Sequence, residues 1–528
     1  MVLVNNLGSW WWQVSSNNEF TMAVITISVV IIAILWYTLS LSSSSQTLPP
    51  GPRSLPIVGY LPFLNPELHK QFTNLAHTYG PIFKIYLGSK LHIVINTPEL
   101  AKVVVRDQDE VFSNRDQTVA ASTISYEAQD LVISKNNSNW RNLRKIFVHE
   151  VLSNKNLEAC GCFRRDEVRK TINNIFSKIG TKINISEISF LTEANVITNM
   201  IWENTYVKGT HDSDFGAELQ MVSAKIIEIF GQPNLSDFFP SLAWFDLQGI
   251  KREMLRQRNK LDKIFTRIIE DRSKSNSKKS QDGVGDNAKK DFLQMLLDLK
   301  DQKDPKSLNL TNIKALLMNI MIAGTETTAT LIEWTMAEIM KNQTVMKRIQ
   351  EELEEIVGVN NIVEESHIPK LRYLDATIKE TLRLHPVIPL LLPRSPSRDC
   401  TVGGYTIPKD CTVFLNVWSI QRDPRYWDNP LDFKPERFLT YEEANKWDYT
   451  GKNLNFFPFG SGRRICPGIP LAEKMQMFIL ASLLHSFDWS LPHGEEHDLS
   501  ERFGITLKKR KPLIAIPSIR LSDESLYN

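Results

Sequence analysis

Cysteine is scarce in this sequence, with five residues among 528, at positions 160, 162, 400, 411 and 466. An odd number at irregular spacing is unlike the paired framework of a small secreted protein held by disulfides. We therefore expect most of the chain to face a reducing compartment.

An excess of charge of either sign is also missing. The 62 basic and 60 acidic residues leave a net charge of +2, so no basic surplus is available to attract nucleic acid. The sequence has no dinucleotide-binding motif, because Ile465 stands where the third glycine after Gly460 and Gly462 would be needed. Composition excludes a nucleic-acid partner, and small-molecule partners must be inferred from individual sites.

One long apolar run is present near the N-terminus. Residues 21–41 contain no charged side chain over 21 positions, enough for a helix to cross about 30 Å of hydrocarbon. The run is too long for the core of a cleaved signal peptide, and residues 1–20 lack Lys and Arg. Cations follow the run from Arg53 onward, which favours a cytosolic body. We expect a single-pass anchor in the endoplasmic reticulum membrane, with residues 1–20 as a short luminal head.

The remainder divides into a linker and one large body. Residues 42–56 are rich in Ser and Pro and predict a hinge, and residues 57–528 form the body. Within the body, residues 81–98 predict a β-hairpin around Gly88, and the low-complexity residues 271–291 predict a surface loop. Most other segments have helical periodicity, so we expect a mainly α fold with small β-sheets.

Cys466 lies in the unusual segment FPFGSGRRICPGIP, residues 457–470. A redox disulfide would need a partner thiol, and a zinc site would need further Cys or His ligands nearby. A lone thiolate in a turn rich in Gly and Arg instead suits one axial bond to a cofactor metal. The alternative is a small buried hydrophobic residue, the usual fate of an isolated cysteine.

Two helical motifs also carry polar groups that need an explanation. In KETLRLHP, Glu380 and Arg383 are three residues apart on one helical face, a spacing that usually gives a surface ion pair. In AGTETT, Glu326 and Thr327 follow nine mainly apolar residues, 315–323, that predict a buried core helix. Gly324 weakens a helix and the Thr327 hydroxyl can bond to its own backbone, so a groove for dioxygen and water is expected there.

The segment around Cys466 fits the pattern F-x-x-G-x-R-x-C-x-G and resembles the haem-binding loop of cytochromes P450. Further segments in the order of that family are W-x-x-x-R (Trp140, Arg144), E-x-x-R (Glu380, Arg383), Arg394, and P-E-R-F with Arg437. The whole chain is similar to plant microsomal, A-type cytochromes P450, and most similar to the group containing δ-cadinene 8-hydroxylase. This resemblance implies the cytochrome P450 fold behind a single N-terminal transmembrane helix, with haem b as cofactor.

The resemblance also implies roles for these residues. Cys466 would be the axial ligand of the haem iron, and Glu326 with Thr327 would deliver protons during oxygen activation. Glu380, Arg383 and Arg437 would form a buried structural network. The residues expected around the haem are Phe459, Gly468, Trp140, Arg144, Arg394 and Arg464, the arginines as partners of the propionates.

The implied activity is hydroxylation of a small hydrophobic plant specialised metabolite, and the expected substrate is a sesquiterpene-like terpenoid. Electrons would come from NADPH through a separate reductase, with cytochrome b5 as a further possible donor. Alternatives are a phenolic, flavonoid or aldoxime substrate, a haem-thiolate isomerase or dehydratase, and a silent haem protein that scaffolds partners. The positions expected in the substrate pocket, for which ordinary core packing is the alternative, are Ser122, Tyr126, Ala323, Val387, Leu391 and Ile505.

Overall fold

The computed structural model describes residues 21–32, 35, 47–202, 213–281, 291–301, 308–439 and 447–527. Its α-helices are α1 Thr21–Ile32, α2 Leu68–Tyr79, α3 Pro98–Lys102, α4 Val119–Ile124, α5 Ser138–Ile146, α6 Asn154–Ala159, α7 Gly161–Phe176, α8 Ile185–Trp202, α9 Ser213–Phe230, α10 Leu235–Phe238, α11 Ile250–Gln281, α12 Phe292–Asp301, α13 Leu310–Lys341, α14 Gln343–Ile356, α15 Arg372–Leu384, α16 Val417–Ile420 and α17 Ile469–Ser486. The predicted mainly α fold is confirmed.

The strands are short and form small sheets. They are β1 Ile82–Leu87, β2 Lys90–Ile95, β3 Asn114–Arg115, β4 Ile183–Asn184, β5 Arg394–Ser395, β6 Cys400–Val402, β7 Tyr405–Ile407, β8 Thr412–Leu415, β9 Phe487–Ser490, β10 Glu501–Arg502, β11 Lys508–Lys509 and β12 Ile514–Ile519. The largest sheet has the order β1-β2-β8-β5-β3, with β1 and β2 antiparallel and β2 parallel to β8. Gly88 adopts a positive φ of 60° in the turn between β1 and β2, as expected for the predicted hairpin.

Helix α13 runs through the centre of the body and packs against α8, α15 and α17. It begins at a capping box in which the Asn309 side chain accepts from the Asn312 amide at 2.7 Å. Within the described part of the chain, α13 is the one helix long and apolar enough to cross a membrane, but 72% of its most apolar window is buried in the protein. Residues 315–321 are all buried, so the predicted core helix is confirmed.

The sequence predicted a surface loop over the low-complexity residues 271–291, but the structure shows a helix in part of this segment. Helix α11 continues to Gln281, so residues 271–281 are helical. Arg, Lys and Gln are good helix formers, and an amphipathic helix that is already formed propagates through a polar extension at little cost. Residues 282–290 lie outside the described residues.

The N-terminal region is described only in part. Helix α1 exposes apolar side chains, including Ile25, Ile27 and Val29, while the predicted head 1–20 and residues 36–46 lie outside the described residues. The proline-rich half of the predicted hinge is bonded to the body. The carbonyl of Thr47 accepts from the Thr406 amide at 2.9 Å, and that of Pro50 accepts from the Lys84 amide at 2.8 Å.

Candidate active site around Cys466

Cys466 lies in the turn that precedes helix α17, with its backbone amide bonded to the Phe459 carbonyl at 2.9 Å. The Gly468 amide donates to the Cys466 sulfur at 3.3 Å. Burial raises the pKa of the Cys466 thiol, whereas the Gly468 amide, the Arg144 guanidinium and the Ile469 amide act to lower it. No disulfide joins Cys466 to another cysteine. The loop therefore presents one sulfur that accepts from backbone amides at a helix N-terminus, an arrangement suited to a single metal bond.

The glycines of this loop have different physical roles. Gly462 has a φ of +70°, and a Cβ there would lie 2.2 Å from the carbonyl oxygen of Val105 in the π-helical turn Val103–Asp107. A Cβ at Gly468 would instead lie 3.6 Å from the Cys466 sulfur, an ordinary van der Waals distance. Gly462 is therefore required for packing of the loop on the turn behind it, whereas the space beside Gly468 would accept a Cβ.

Four guanidinium groups lie near this loop, of which two, Arg394 and Arg464, are buried and two, Arg115 and Arg144, are half-buried. Arg144 donates to the Ile465 carbonyl at 2.6 Å, and Arg394 donates to the Ser461 carbonyl at 2.6 Å and to Asp109 at 3.2 Å. Arg464 donates to the carbonyl oxygens of Ser113 at 2.6 Å, Leu131 at 3.3 Å and Ser134. The fourth, Arg115, donates to the Leu392 carbonyl at 2.6 Å.

This cluster carries an excess of positive charge, which Asp109 and Asp130 offset only in part. Burial and the neighbouring Arg394 and Arg144 lower the pKa of Arg464 to about 9. Burial, followed by Arg464, Arg394 and Arg144, holds the pKa of Arg115 well below its usual range. Cations that repel one another in a buried site favour an anionic ligand. The residues therefore fit haem, whose two propionates would bring two carboxylates to this cluster.

A polar strut joins the cluster to helix α13, and we define it as Asn319, Asp130 and Leu131. The Asn319 amide group donates to Asp130 at 3.0 Å, and its oxygen accepts from the Leu131 amide at 3.0 Å. The Leu131 carbonyl in turn accepts from the Trp140 indole at 3.0 Å and from Arg464. Burial raises the pKa of Asp130, against the opposing effect of the Asn319 and backbone hydrogen bonds. These contacts explain why a polar residue, Asn319, lies within the apolar run of α13.

Glu380, Arg383 and Arg437 meet in the interior. Arg383 contacts Glu380 through two hydrogen bonds of 2.7 and 2.8 Å, and both side chains are fully buried. Arg437 and the Lys434 amide donate to the same carboxylate at 3.3 and 2.8 Å. Arg383 also donates to the carbonyls of Gln421, Pro430 and Asp432. The pair is buried and bidentate, unlike the surface ion pair to which its spacing usually leads.

Helix α13 has a narrow accessible strip on an otherwise buried surface. Ala323 is exposed, and Gly324 and Thr327 are half-buried, while Met321, Thr325 and Glu326 are buried. The Thr327 hydroxyl donates to the Ala323 carbonyl at 2.7 Å. The helix continues through Gly324, where a Cβ would lie 3.2 Å from the Ile197 side chain of α8, so a larger residue there would need a small shift of that side chain.

Glu326 and Thr327 point to different environments. The Glu326 carboxylate forms an ion pair with Lys508 of β11, whose side chain is 28% exposed. Because the hydroxyl proton of Thr327 is donated to Ala323, the Thr327 oxygen can act only as an acceptor for a further partner. Adjacent positions of one helix thus offer a carboxylate paired with a cation and a hydroxyl oxygen that can accept a hydrogen bond.

The residues predicted for the pocket come from four parts of the fold. Ser122 of α4 and Tyr126 are half-buried, and the Tyr126 hydroxyl donates to Asp262 of α11 at 3.3 Å. The Val387 carbonyl accepts from the Leu507 amide at 2.8 Å, which joins the segment after α15 to the segment that contains Ile505. Leu391 has a φ of 49° and lies beside Gly460 of the cysteine loop.

Several polar residues of the site match no motif singled out in the sequence. Arg115, Asp109 and Lys508 belong to segments far from their partners along the chain, and no local spacing predicts those contacts. Asn319 and Asp130 are different, because an amide within an apolar helical run is a visible signal of a buried polar partner.

Comparisons with known proteins are extensive. The family model for cytochrome P450 matches residues 49–516. Cytochrome P450 76C1 of Arabidopsis thaliana is 38% identical over 484 residues, 90% of this chain and 93% of that protein. Flavonoid 3',5'-hydroxylase of Solanum melongena is 37% identical over 510 residues, 96% of this chain and 97% of that protein. (S)-N-methylcoclaurine 3'-hydroxylase isozyme 2 of Eschscholzia californica is 37% identical over 506 residues, 95% and 100% of the two chains.

A solved structure has the same fold. Zebrafish cytochrome P450 with abiraterone superposes with a TM-score of 0.72 at 25% sequence identity, covering 86% of this chain and 100% of the zebrafish chain.

Proposed function

The chain belongs to the cytochrome P450 family, and from this premise we propose that it hydroxylates a small hydrophobic plant metabolite, a terpenoid of sesquiterpene type. It is a haem monooxygenase similar to plant A-type members of the family. The substrate class and the roles of individual residues are the proposed part.

The observation that carries the substrate proposal is the chemistry of the positions assigned to the pocket. Ala323, Val387, Leu391 and Ile505 are apolar. The hydroxyl of Tyr126 is already bonded to Asp262, so it is not a ready partner for a substrate oxygen. A site of this composition binds by shape and by burial of apolar surface, which suits a hydrocarbon skeleton.

A flavonoid is the second candidate, and the relatives favour it. One relative is named flavonoid 3',5'-hydroxylase and another, from Crocosmia x crocosmiiflora, flavonoid 3'-monooxygenase CYP75B137. A polyphenol would need hydrogen-bonding partners for its hydroxyl groups, because burying them unpaired costs free energy. Ser122, which is half-buried, is the hydroxyl among the pocket positions that could serve.

Cys466 would hold the haem iron, and the arginine cluster would hold the propionates. Bound haem supplies the iron that activates dioxygen, so that one oxygen atom enters the substrate and the other leaves as water. The Gly468 amide, at 3.3 Å from the sulfur, stabilises thiolate charge and so sets how strongly Cys466 donates electrons. The buried pair of Glu380 and Arg383 fixes α15 against the segment that contains Arg437.

Thr327 and Glu326 would deliver protons on the side of the site that α13 forms. With its own proton donated to Ala323, the Thr327 oxygen can accept a hydrogen bond from a water molecule and fix its position. The Glu326 carboxylate can take a proton from solvent and release it toward that water. Electrons must come from a partner, since the sequence has no flavin or nucleotide motif; an NADPH-dependent reductase is the proposed donor.

Helix α1 is proposed to be part of a membrane anchor, with the body on the cytosolic side. Five Asn-x-Ser/Thr sequons would otherwise be glycosylation sites: Asn136, Asn184, Asn234, Asn309 and Asn342. In each, the Asn side chain takes part in a hydrogen bond within the protein. We expect these sequons to stay unmodified, and a mobility shift of the microsomal protein on glycosidase treatment would contradict this topology.

The proposed activity can be tested in microsomes that contain this protein and a plant reductase. Sesquiterpenes and flavonoids would be supplied separately with NADPH under ¹⁸O₂, and microsomes with Cys466→Ser serve as the matched control. We expect NADPH-dependent hydroxylated sesquiterpene that carries one ¹⁸O atom. Conversion of flavonoids alone would overturn the substrate proposal, and product without label would indicate an isomerase or dehydratase.

A further inference from the structure

Lys508 forms the one ion pair described for Glu326, the acid proposed to deliver protons. Its ammonium group forms an ion pair with the carboxylate of Glu326, which is buried in α13. The two residues are far apart in the sequence, and no motif joins them. A buried carboxylate without a cation would lose most of its hydration uncompensated, so Lys508 contributes directly to where the Glu326 side chain rests.

The backbone on either side of Lys508 is firmly attached. The Trp334 indole of α13 donates to the Leu507 carbonyl at 2.7 Å, and the Leu507 amide donates to the Val387 carbonyl at 2.8 Å. Further along, the Leu513 amide donates to Glu333 of α13 at 2.9 Å. These bonds fix β11 along α13, so the position of Lys508 relative to Glu326 is set by the fold.

Lys508 also connects two regions that matter for the reaction. Only Leu507 separates it from residues 503–506, which include the pocket position Ile505, and its side chain is partly exposed while that of Glu326 is buried. Two residues, Thr506 and Leu507, separate Ile505 from Lys508, and Leu507 is bonded to both Trp334 and Val387. The ion pair therefore fixes the Glu326 carboxylate in one place next to the pocket segment.

We propose that Lys508 is a positioning residue for proton delivery: its ion pair holds the Glu326 carboxylate in the orientation from which it delivers protons toward Thr327. This inference rests on the proposed function of Glu326 and adds the residue that controls where that acid lies.

The test compares single and double variants in the reconstituted holoenzyme. Lys508→Met removes the charge but keeps the length of the side chain, and Lys508→Arg restores a cation. Lys511→Met is the matched control, because Lys511 is on the same segment but is 78% exposed and is paired with Asp498. The readouts are product formed per NADPH consumed, substrate affinity from the binding spectrum, and haem content from the reduced carbon monoxide spectrum.

We expect Lys508→Met to lower product per NADPH by roughly tenfold, less than the ~10²-fold or more that positioned proton transfer itself contributes. Haem content and substrate affinity should stay unchanged, Lys508→Arg should recover coupling, and Lys511→Met should have no effect. If the Met variant does not fold, Lys508→Gln carries the same test.

Glu326→Gln separates the two proposals. Loss of coupling in Glu326→Gln but not in Lys508→Met would overturn the role of Lys508 alone. Unchanged coupling in Glu326→Gln would instead overturn the proposed role of Glu326. When both single variants lose coupling, the double variant should be no worse than Glu326→Gln, and additive losses would contradict a shared role.

Discussion

The cysteine side of the site and the α13 side are built in opposite ways. On the cysteine side, charged groups have several partners each, as the buried Arg394 shows with Asp109 and the Ser461 carbonyl. On α13, the accessible strip offers a methyl group, a glycine and one hydroxyl, Ala323, Gly324 and Thr327. We propose that the first arrangement would fix the electronic properties of the bound haem. The second would leave shape to select the substrate.

The largest effect is expected at the sulfur itself. Cys466→Ser replaces a soft thiolate by a hydroxyl that is a poor donor to iron, so monooxygenase activity should be lost completely. The reduced carbon monoxide complex should lose its thiolate-type spectrum. Retention of that spectrum in the Ser variant would show that another residue is the ligand.

The next effect is expected in the buried network behind the cysteine. Glu380→Ala leaves the fully buried Arg383 without its carboxylate, which should lower the free energy of unfolding by about 3–5 kcal/mol and reduce haem content. The control is Glu436→Ala, because the ion pair of Glu436 with Arg348 is half-exposed and should be worth about 1 kcal/mol or less. Thermal unfolding measures both, and similar losses in the two variants would contradict the difference in burial.

The smallest effect is expected on the α13 side. Thr327→Ala removes the hydroxyl of the accessible strip and should lower product per NADPH by about tenfold, while haem binding is unchanged. Thr328→Ala removes a hydroxyl bonded in the same way, to Gly324 at 3.2 Å, but Thr328 is buried and should not affect coupling. Equal loss in both variants would mean that the hydroxyls act only by stabilising the helix.

The sequence predicted what depends on short-range periodicity and on local motifs. Three-residue spacing placed Glu380 and Arg383 on one face of α15, and the apolar run before Gly324 predicted the buried part of α13. The pattern around Cys466 predicted a tight loop, and the structure gives Gly462 the positive φ that such a loop requires.

Contacts between distant segments could not be predicted in this way. Arg115 joins the guanidinium cluster because β3 pairs with β5, which begins at Arg394, and Lys508 reaches Glu326 because Trp334 fixes β11 on α13. Neither register is visible in one sequence. The predicted loop at residues 271–281 was wrong for a related reason, since polar composition does not end a helix that is already anchored by its buried face.

The strut of Asn319, Asp130 and Leu131 limits how the protein can be redesigned. Substrate range would normally be altered by changing residues along α13, but position 319 also supports the carbonyl that orients Trp140 and Arg464. A substitution there would alter haem retention together with selectivity. Libraries aimed at new substrates should therefore vary positions 323 and 505 and leave 319 as asparagine.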